Sequence, residues 1–388
     1  MTSMGRISET AERRAAARVP LGFVPAAPDL QVAIRPAAER ADALAGEWTA
    51  LAASASEPNV FAEHWFVAAA LRTLPERQKV QLLEVRRGGR LIGLFLFEID
   101  RFYARLPVAV VRNWCHDQAF LGTPLVAAGE ERAFWDAAID ALNAADLPAN
   151  LIHLWRMAEG GPVAQAFGGA IVHRRIRAFL ESELSPAAYY ERAVRGKKRK
   201  ELRRQRNRLG DLGRVEARIL ADRAELDAWC DAYLALEKAG WKGREGTALA
   251  CAPESEAFFR ETLAGAWDVG RLQFRRLDLD GRPVAMLVNF LCPPGSFSFK
   301  TAFDEDFYPY SPGVLLQIEN LDILDRPDID WMDSCAVQDH PMIDSLWTER
   351  RSIVRCTLPL KGWKRRAVWA ACRALELASA RLRRGTDV

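Results

Sequence analysis

The strongest constraint on this chain is an order of predicted elements that occurs twice. Gln31–Arg35 alternates as a strand should, Ala37–Ala53 and Asn59–Leu74 carry helical apolar spacing, and Val80–Arg86 with Arg90–Asp100 forms a hairpin across Gly88-Gly89. Leu106–Asn113 then reads as a strand, Glu130–Ala144 as a helix and Asn150–Trp155 as a strand. The series begins again with strand Val215–Leu220 and helices Ala224–Ala239 and Pro253–Asp268. A hairpin of Arg271–Leu279 and Pro283–Leu291 across Asp280-Gly281 follows, then strand Phe297–Phe303, helix Ser311–Leu324 and strand Ile329–Ser334. The hairpins agree in chemistry as well as place, RRGGRLIGLFLF against DLDGRPVAMLVNF. One α+β unit, repeated at an offset of about 190 residues, accounts for the order. A chain of 388 residues also exceeds what one core of ordinary size takes.

Composition narrows the class without naming a function. Apolar residues make up 49% and charged residues 27%, a globular balance. No stretch approaches the roughly 18 uncharged apolar residues that a membrane span needs. Arg6, Arg13, Arg14 and Arg18 are not followed by an apolar run, so the start is not read as a secretory signal. Seven scattered cysteines without a CxxC pair suit a reduced, cytoplasmic protein. Five histidines with neither HxxxH nor HExxH give no metal site.

The net charge of +3 hides two basic segments. Residues 195–208 hold nine Lys/Arg against Glu201, and residues 361–384 hold eight against Glu376. The remainder of the chain is therefore acidic. In the first segment Tyr190, Val194, Leu202 and Leu209 recur at helical spacing after Ser185-Pro186, a cap and first-turn pair. This predicts a helix that lies as a solvated rod across the domain junction or faces an anion. The second segment places Val368, Cys372, Leu375 and Leu382 on one helical face, suited to docking on the body or to peripheral contact with an anionic membrane surface. The expected divisions are a mobile leader at 1–28, a first domain at 29–184, the basic helix with a second domain at 185–360, and a basic amphipathic helix at 361–388.

The order of elements resembles the GCN5-related N-acyltransferase (GNAT) fold. Its tandem copy is similar to the FemAB-type transferases and, at finer grain, to the CelD-type acetyltransferases of cellulose biosynthesis. The strings that carry the likeness are HDQAFLGTPL (116–125), KKRKELRRQRNRLGDLG (197–213), LALEKAGWKGREGTAL (234–249), KTAFDEDFYPYSPGVLL (300–316) and DSCAVQDHPMIDSLWTERR (333–351). The resemblance implies an α+β fold with two mixed sheets flanked by helices and an acyl-CoA donor. It also implies that Ser311, Pro312 and Gly313 form the helix start that receives the pyrophosphate, with Lys300 on the strand before it. The fuller Q/RxxGxG/A loop of simple members is absent, and FemAB-type relatives use aminoacyl-tRNA instead.

Residue chemistry supplies the remaining candidates. Ser311 is read as the cap of a helix with Pro312 at its first turn, and Gly313 permits close backbone approach. Acylation of an amine needs a base, for which Glu237, Asp304 and His340 are candidates. Trp241, Lys242 and Arg244 sit in a glycine-punctuated stretch suited to a sugar or phosphate, and Asp333 ends a strand, where ligands commonly bind. Cys335 near His340 raises the alternative of a covalent thiol. His116-Asp117 is either a degenerate counterpart of the second site or structural. The expected function is acyl-CoA-dependent N- or O-acyl transfer to an amino sugar or polysaccharide precursor. The alternatives are a FemAB-type transferase that uses tRNA and a non-catalytic exopolysaccharide assembly factor.

Overall fold

The computed structural model describes residues 23–25 and 29–384. Its first series of strands is β1 (Phe23–Pro25), β2 (Leu30–Pro36), β3 (Gln81–Arg87), β4 (Arg90–Asp100), β5 (Val110–Asn113), β6 (Leu125–Val126), β7 (Leu151–Ala158) and β8 (Ala170–Glu181). The second is β9 (Val215–Ile219), β10 (Leu272–Leu279), β11 (Arg282–Cys292), β12 (Gly295–Phe303), β13 (Trp331–Asp333) and β14 (Glu349–Pro359). Both central hairpins close as expected. Gly88 and Gly89 have φ of 55° and 84°, and Asp280 and Gly281 have φ of 50° and 80°, the left-handed pair that a two-residue hairpin turn requires.

The two expected sheets run into one. Neighbouring strands follow the order β1-β2-β3-β4-β5-β7-β14-β8-β13-β12-β11-β10-β9, with β6 beside β4. With β1 set aside, the order reads the same from either end, β2 answering to β9, β7 to β13 and β8 to β14. Each half therefore passes its last strand to the other: β8 pairs antiparallel with β13, and β14 pairs antiparallel with β7. The exchanged strands pair with each other from Glu349↔Phe179 to Thr357↔Ala170, on the pseudo-twofold axis. A cut at residue 184 separates two halves of the chain, and the strand exchange ties them into one sheet.

A shared core reinforces the join. Phe61, Trp65 and Phe66 of the first half meet Phe297, Phe290 and Phe258 of the second at ring-centroid distances of 5.2, 5.1 and 5.4 Å. Edge-to-face pairs like these add about 0.5–1.5 kcal/mol each beyond area burial. His116 is half-buried here, stacked on Phe66 at 5.5 Å, and desolvation of its ring, helped by the Arg156 charge, holds its pKa down to about 3. It is a neutral member of the aromatic core, the structural alternative of the sequence reading.

Some local expectations need correction. Within the expected leader, Phe23–Pro25 forms β1 against β2, while the rest of 1–28 lies outside the described residues. The basic rod is two helices, Pro186–Ala193 and Gly196–Gly210, because Val194 and Arg195 are extended. Ser185 caps the first, accepting from the Ala188 N–H at 3.4 Å. In the second, Leu202 and Leu209 are buried and the cationic side turns outward. The C-terminal helix runs Trp363–Arg384 and packs through Val368, Trp369 and Cys372 against Tyr103, Val110 and Leu151.

Candidate active site

In each half a parallel strand pair sits at the centre, β5 with β7 and β12 with β13. The β12–β13 pairing stops at Phe297↔Asp333, and the chains then diverge. Between them opens a cleft of about 540 Å³, lined by Trp241, Lys242, Ser298–Thr301, Phe303, Tyr308, Ser311–Val314, Gln317, Ser334–Ala336 and His340–Ile343. Phe120, inside the HDQAFLGTPL string of the first half, completes the lining. At the corresponding place in the first half, the described residues leave only about 30 Å³, lined in part by Asn113, Leu121 and Gly122. Its parallel pair stops at Arg112↔His153, and the next side chain, Asn113, bolts the gap. Asn113 Nδ2 donates to the carbonyls of Gly122 and Trp155 at 2.9 Å, and its Oδ1 accepts from the Trp155 N–H at 2.7 Å. The corresponding position on β12 is Ser298, too short to bridge.

The helix Pro312–Glu319 points its N-terminus into the cleft. Ser311 adopts φ 53° and ψ 49°, so its side chain makes no capping hydrogen bond. This corrects the reading of Ser311 as the cap. The consequence favours a ligand, because Pro312 has no N–H and the N–H groups of Gly313 and Val314 have no intrahelical acceptor. A Cβ at Gly313 would lie 3.3 Å from Phe303 Cδ1 and 3.4 Å from Met342 Sδ, so the approach is kept clear by the missing side chain. The Tyr308 and Trp241 rings are exposed at the mouth.

No Asp or Glu belongs to the cleft lining. Its ionisable groups are Lys242, Lys300, His340, Tyr308 and Cys335. Burial, reinforced by the charge of Lys242, lowers the Lys300 ammonium to about 8. Burial also lowers the His340 pKa and keeps the imidazole neutral, and its Nδ1 is buried without a hydrogen-bond partner. Cys335 has φ 55° and donates its N–H to Asp333 Oδ1 at 2.9 Å. Burial, then the nearby Asp333 charge, pushes its thiol well up, so it stays protonated and is no thiolate nucleophile.

The structure thus brings Lys300, Ser311, Pro312, Gly313, Trp241, Lys242 and His340 to one cleft. The other sequence candidates are committed elsewhere. Glu237 is buried, accepting from Lys242 Nζ at 2.7 Å and the Leu249 N–H at 2.8 Å, so both its oxygens brace the loop behind Trp241. Asp304 pairs with Arg282 and caps the following turn through the Asp306 N–H. Arg244 pairs with Glu305 at 2.7 Å. Asp333 is fully buried beneath the cleft, between Arg177 at 2.6 Å and Arg351 at 3.1 Å.

Sequence reasoning missed a buried amide chain behind the cleft. Gln317 Nε2 donates to Ser298 and Thr301, both at 3.3 Å. Asn320 donates to Gln317 at 3.4 Å, and Asn289 donates to Asn320 at 2.7 Å and to Gln273 at 2.8 Å. Polar residues at apolar helical positions of 312–320 were the available signal. Among the described residues no three of His, Cys, Asp or Glu come together to hold a metal ion. No helix there is long and apolar enough to cross a membrane.

Comparison with known proteins agrees with the geometry. Residues 196–336, the basic helix through the cleft wall, match the family model described as Acetyltransferase (GNAT) domain. FemX superposes with a TM-score of 0.53 at 11% identity, over 80% of this chain and 95% of that one. The C-terminal (DUF2156) domain assigned to a lysylphosphatidylglycerol synthetase of Agrobacterium fabrum superposes with a TM-score of 0.52 at 11% identity, over 88% and 96%. No curated protein matches the sequence. The fold is a tandem GNAT fold, and residues 196–336 of its second half match an acetyltransferase domain of that fold.

Proposed function

We propose that the cleft of the second half carries acyl transfer from acyl-CoA to an amine or hydroxyl of a saccharide acceptor. One observation carries this reading: an uncapped helix N-terminus opens into a cleft with two lysines, a neutral histidine and no carboxylate. Backbone N–H groups and the helix dipole favour an anion at Ser311–Val314, where the donor pyrophosphate sits. Lys300 adds a cation on the wall.

His340 is the base. As the acceptor nitrogen attacks the thioester carbonyl, His340 takes its proton, and the C–S bond breaks to release the thiol, which receives that proton. Ladder pairing of β11 and β12 shifts register between Val288 and Asn289, which leaves Phe299 as the extra residue of a bulge beside the cleft. The backbone N–H of this bulged residue is the proposed donor for the oxyanion. The exposed faces of Trp241 and Tyr308 offer a sugar platform, and the likeness to cellulose-biosynthesis acetyltransferases supports that acceptor class. Calorimetry of the full chain with acetyl-CoA and longer acyl-CoAs tests the donor. Binding that disappears in Gly313→Val is expected, and no heat with any of them would refute it.

A second reading, transfer from aminoacyl-tRNA, draws on the placement of the basic helix. Arg206 pairs with Glu319 at the far end of the cleft helix, and Arg208 lies over the Tyr310 ring at 5.4 Å. This reading requires tRNA affinity that falls steeply with salt. A flat response between low and moderate salt would remove it.

A further inference from the structure

The Trp363–Arg384 helix uses one face to pack on the body and leaves another uncovered. Its inner face is fixed at several points. Trp369 Nε1 donates to Thr357 Oγ1 at 3.1 Å, Arg365 donates to the Leu147 carbonyl at 3.0 Å, and Arg373 donates to the Ile171 carbonyl at 3.2 Å. On the opposite side Trp363, Ala367, Ala370, Ala374 and Leu377 follow one another at spacings of four and three, a continuous apolar stripe over four turns. Trp363 is 77% exposed and Leu377 53%. Exposed Lys364 and Arg366 flank the stripe, and Lys361 precedes it.

A second apolar group stands beside this helix. Phe102 is 54% exposed, between exposed Arg101 and Arg105. Its loop is fastened to the helix by the Tyr103 hydroxyl, which donates to Glu376. Two neighbouring elements thus each show an apolar side chain framed by cations.

The occupant follows from charge and size. A second copy of the helix would bring together two segments that each hold eight Lys/Arg against one acid. The stripe offers a strip about 20 Å long and one helix wide, far below the roughly 800 Å² per partner of a stable interface. An anionic lipid surface suits both features: headgroups neutralise the flanking cations, and a shallow apolar stripe needs only the headgroup–acyl boundary. Trp at such a boundary places its ring in the apolar layer and its N–H in water.

We propose that the Trp363–Arg384 helix, with the Phe102 loop, docks the protein on an anionic bilayer surface. The helix lies flat on the membrane, and the catalytic body is held at it. This does not depend on the donor or acceptor of the cleft. The test is co-sedimentation of the full chain with phosphatidylcholine vesicles, and with vesicles in which about one-third of the lipid is phosphatidylglycerol. The expected partition coefficient is at least about tenfold higher for the anionic vesicles. Trp363→Glu/Leu377→Glu and, separately, Lys364→Glu/Arg366→Glu each reduce it about tenfold, while Lys200→Glu/Arg203→Glu on the other basic helix does not. All these side chains are exposed, and far-UV circular dichroism confirms retained fold. Equal binding to both vesicles, or unchanged binding by both helix variants, overturns the proposal. So does a concentration-dependent dimer abolished by Trp363→Glu, which would give the stripe to a second copy.

Discussion

Replacing Asp333 with Asn separates a structural carboxylate from a substrate-binding one. Its side chain is fully buried and bonded to Arg177 Nη2 at 2.6 Å, Arg351 Nη1 at 3.1 Å and the Cys335 N–H at 2.9 Å. The two arginine side chains are 8% and 17% exposed, so water does little to replace a lost counter-charge. The site sits where β8, β13 and β14 meet, at the join of the two halves. Asn keeps the shape and one acceptor but leaves two guanidiniums unneutralised. Breaking a buried pair from one side costs about 3–5 kcal/mol. Urea unfolding followed by tryptophan fluorescence should show the midpoint falling by roughly 1 M, given the steep denaturant dependence of a chain this large. Adding Arg177→Met should recover more than half of the loss, because the second substitution removes one of the orphaned charges. A loss below about 1 kcal/mol, together with a raised KM for the acceptor, would refute this reasoning and return Asp333 to a substrate role.

Four further outcomes follow from named geometry. His340→Ala should lower kcat by about 100-fold to 10,000-fold with little change in stability, and an unchanged kcat would dismiss it as the base. Affinity for acyl-CoA should fall as pH rises through about 8, where Lys300 loses its charge, and Lys300→Arg should flatten that dependence in calorimetry. His116 and His153 are both held near 3 by burial, below their unfolded value, so their contribution is present above about pH 6.5 and lost as pH falls. Together they should give a stability slope of about 2.7 kcal/mol per pH unit between about pH 6 and 5, and a flat urea midpoint there would contradict it. Gly122→Ala puts a Cβ 2.1 Å from the Trp155 carbonyl oxygen and 2.4 Å from Asn113 Nδ2, and should cost about 1–3 kcal/mol by denaturation.

The repeated hairpins were legible because a left-handed glycine turn between apolar strands is a local signal. So were the helices with a clear apolar face, such as Pro253–Asp268, whose bounds agree with the reading. The exchanged strands were not. β8 contains His173, Arg174, Arg175 and Arg177, and β14 contains Arg350, Arg351 and Arg355, which break the alternation that marks a half-buried strand. Two of these cations are answered from far along the chain, Arg177 by Asp333 and Arg355 by the Trp155 ring.

The same distance effect governed the site. Lys300, Ser311–Gly313, Trp241, Lys242 and His340 came together because they flank one strand divergence. Glu237 and Asp304 looked available because their commitments, to Lys242 and the Leu249 N–H and to Arg282, are set by how the chain folds back on itself. The backbone turn at Ser311 is equally silent: Ser-Pro-Gly reads as a capped start until φ 53° turns the hydroxyl away. Phe120 belongs to the cleft only because the halves interlock.

The most direct measurement is a crystal structure of the full chain grown with acetyl-CoA. The pyrophosphate should lie on the N–H groups of Gly313 and Val314, with the thioester carbonyl beside Phe299 and His340 facing the side from which an acceptor nitrogen would attack it. The first half should be empty behind Asn113. Donor density on the first half, or none at saturating acetyl-CoA, would contradict the account.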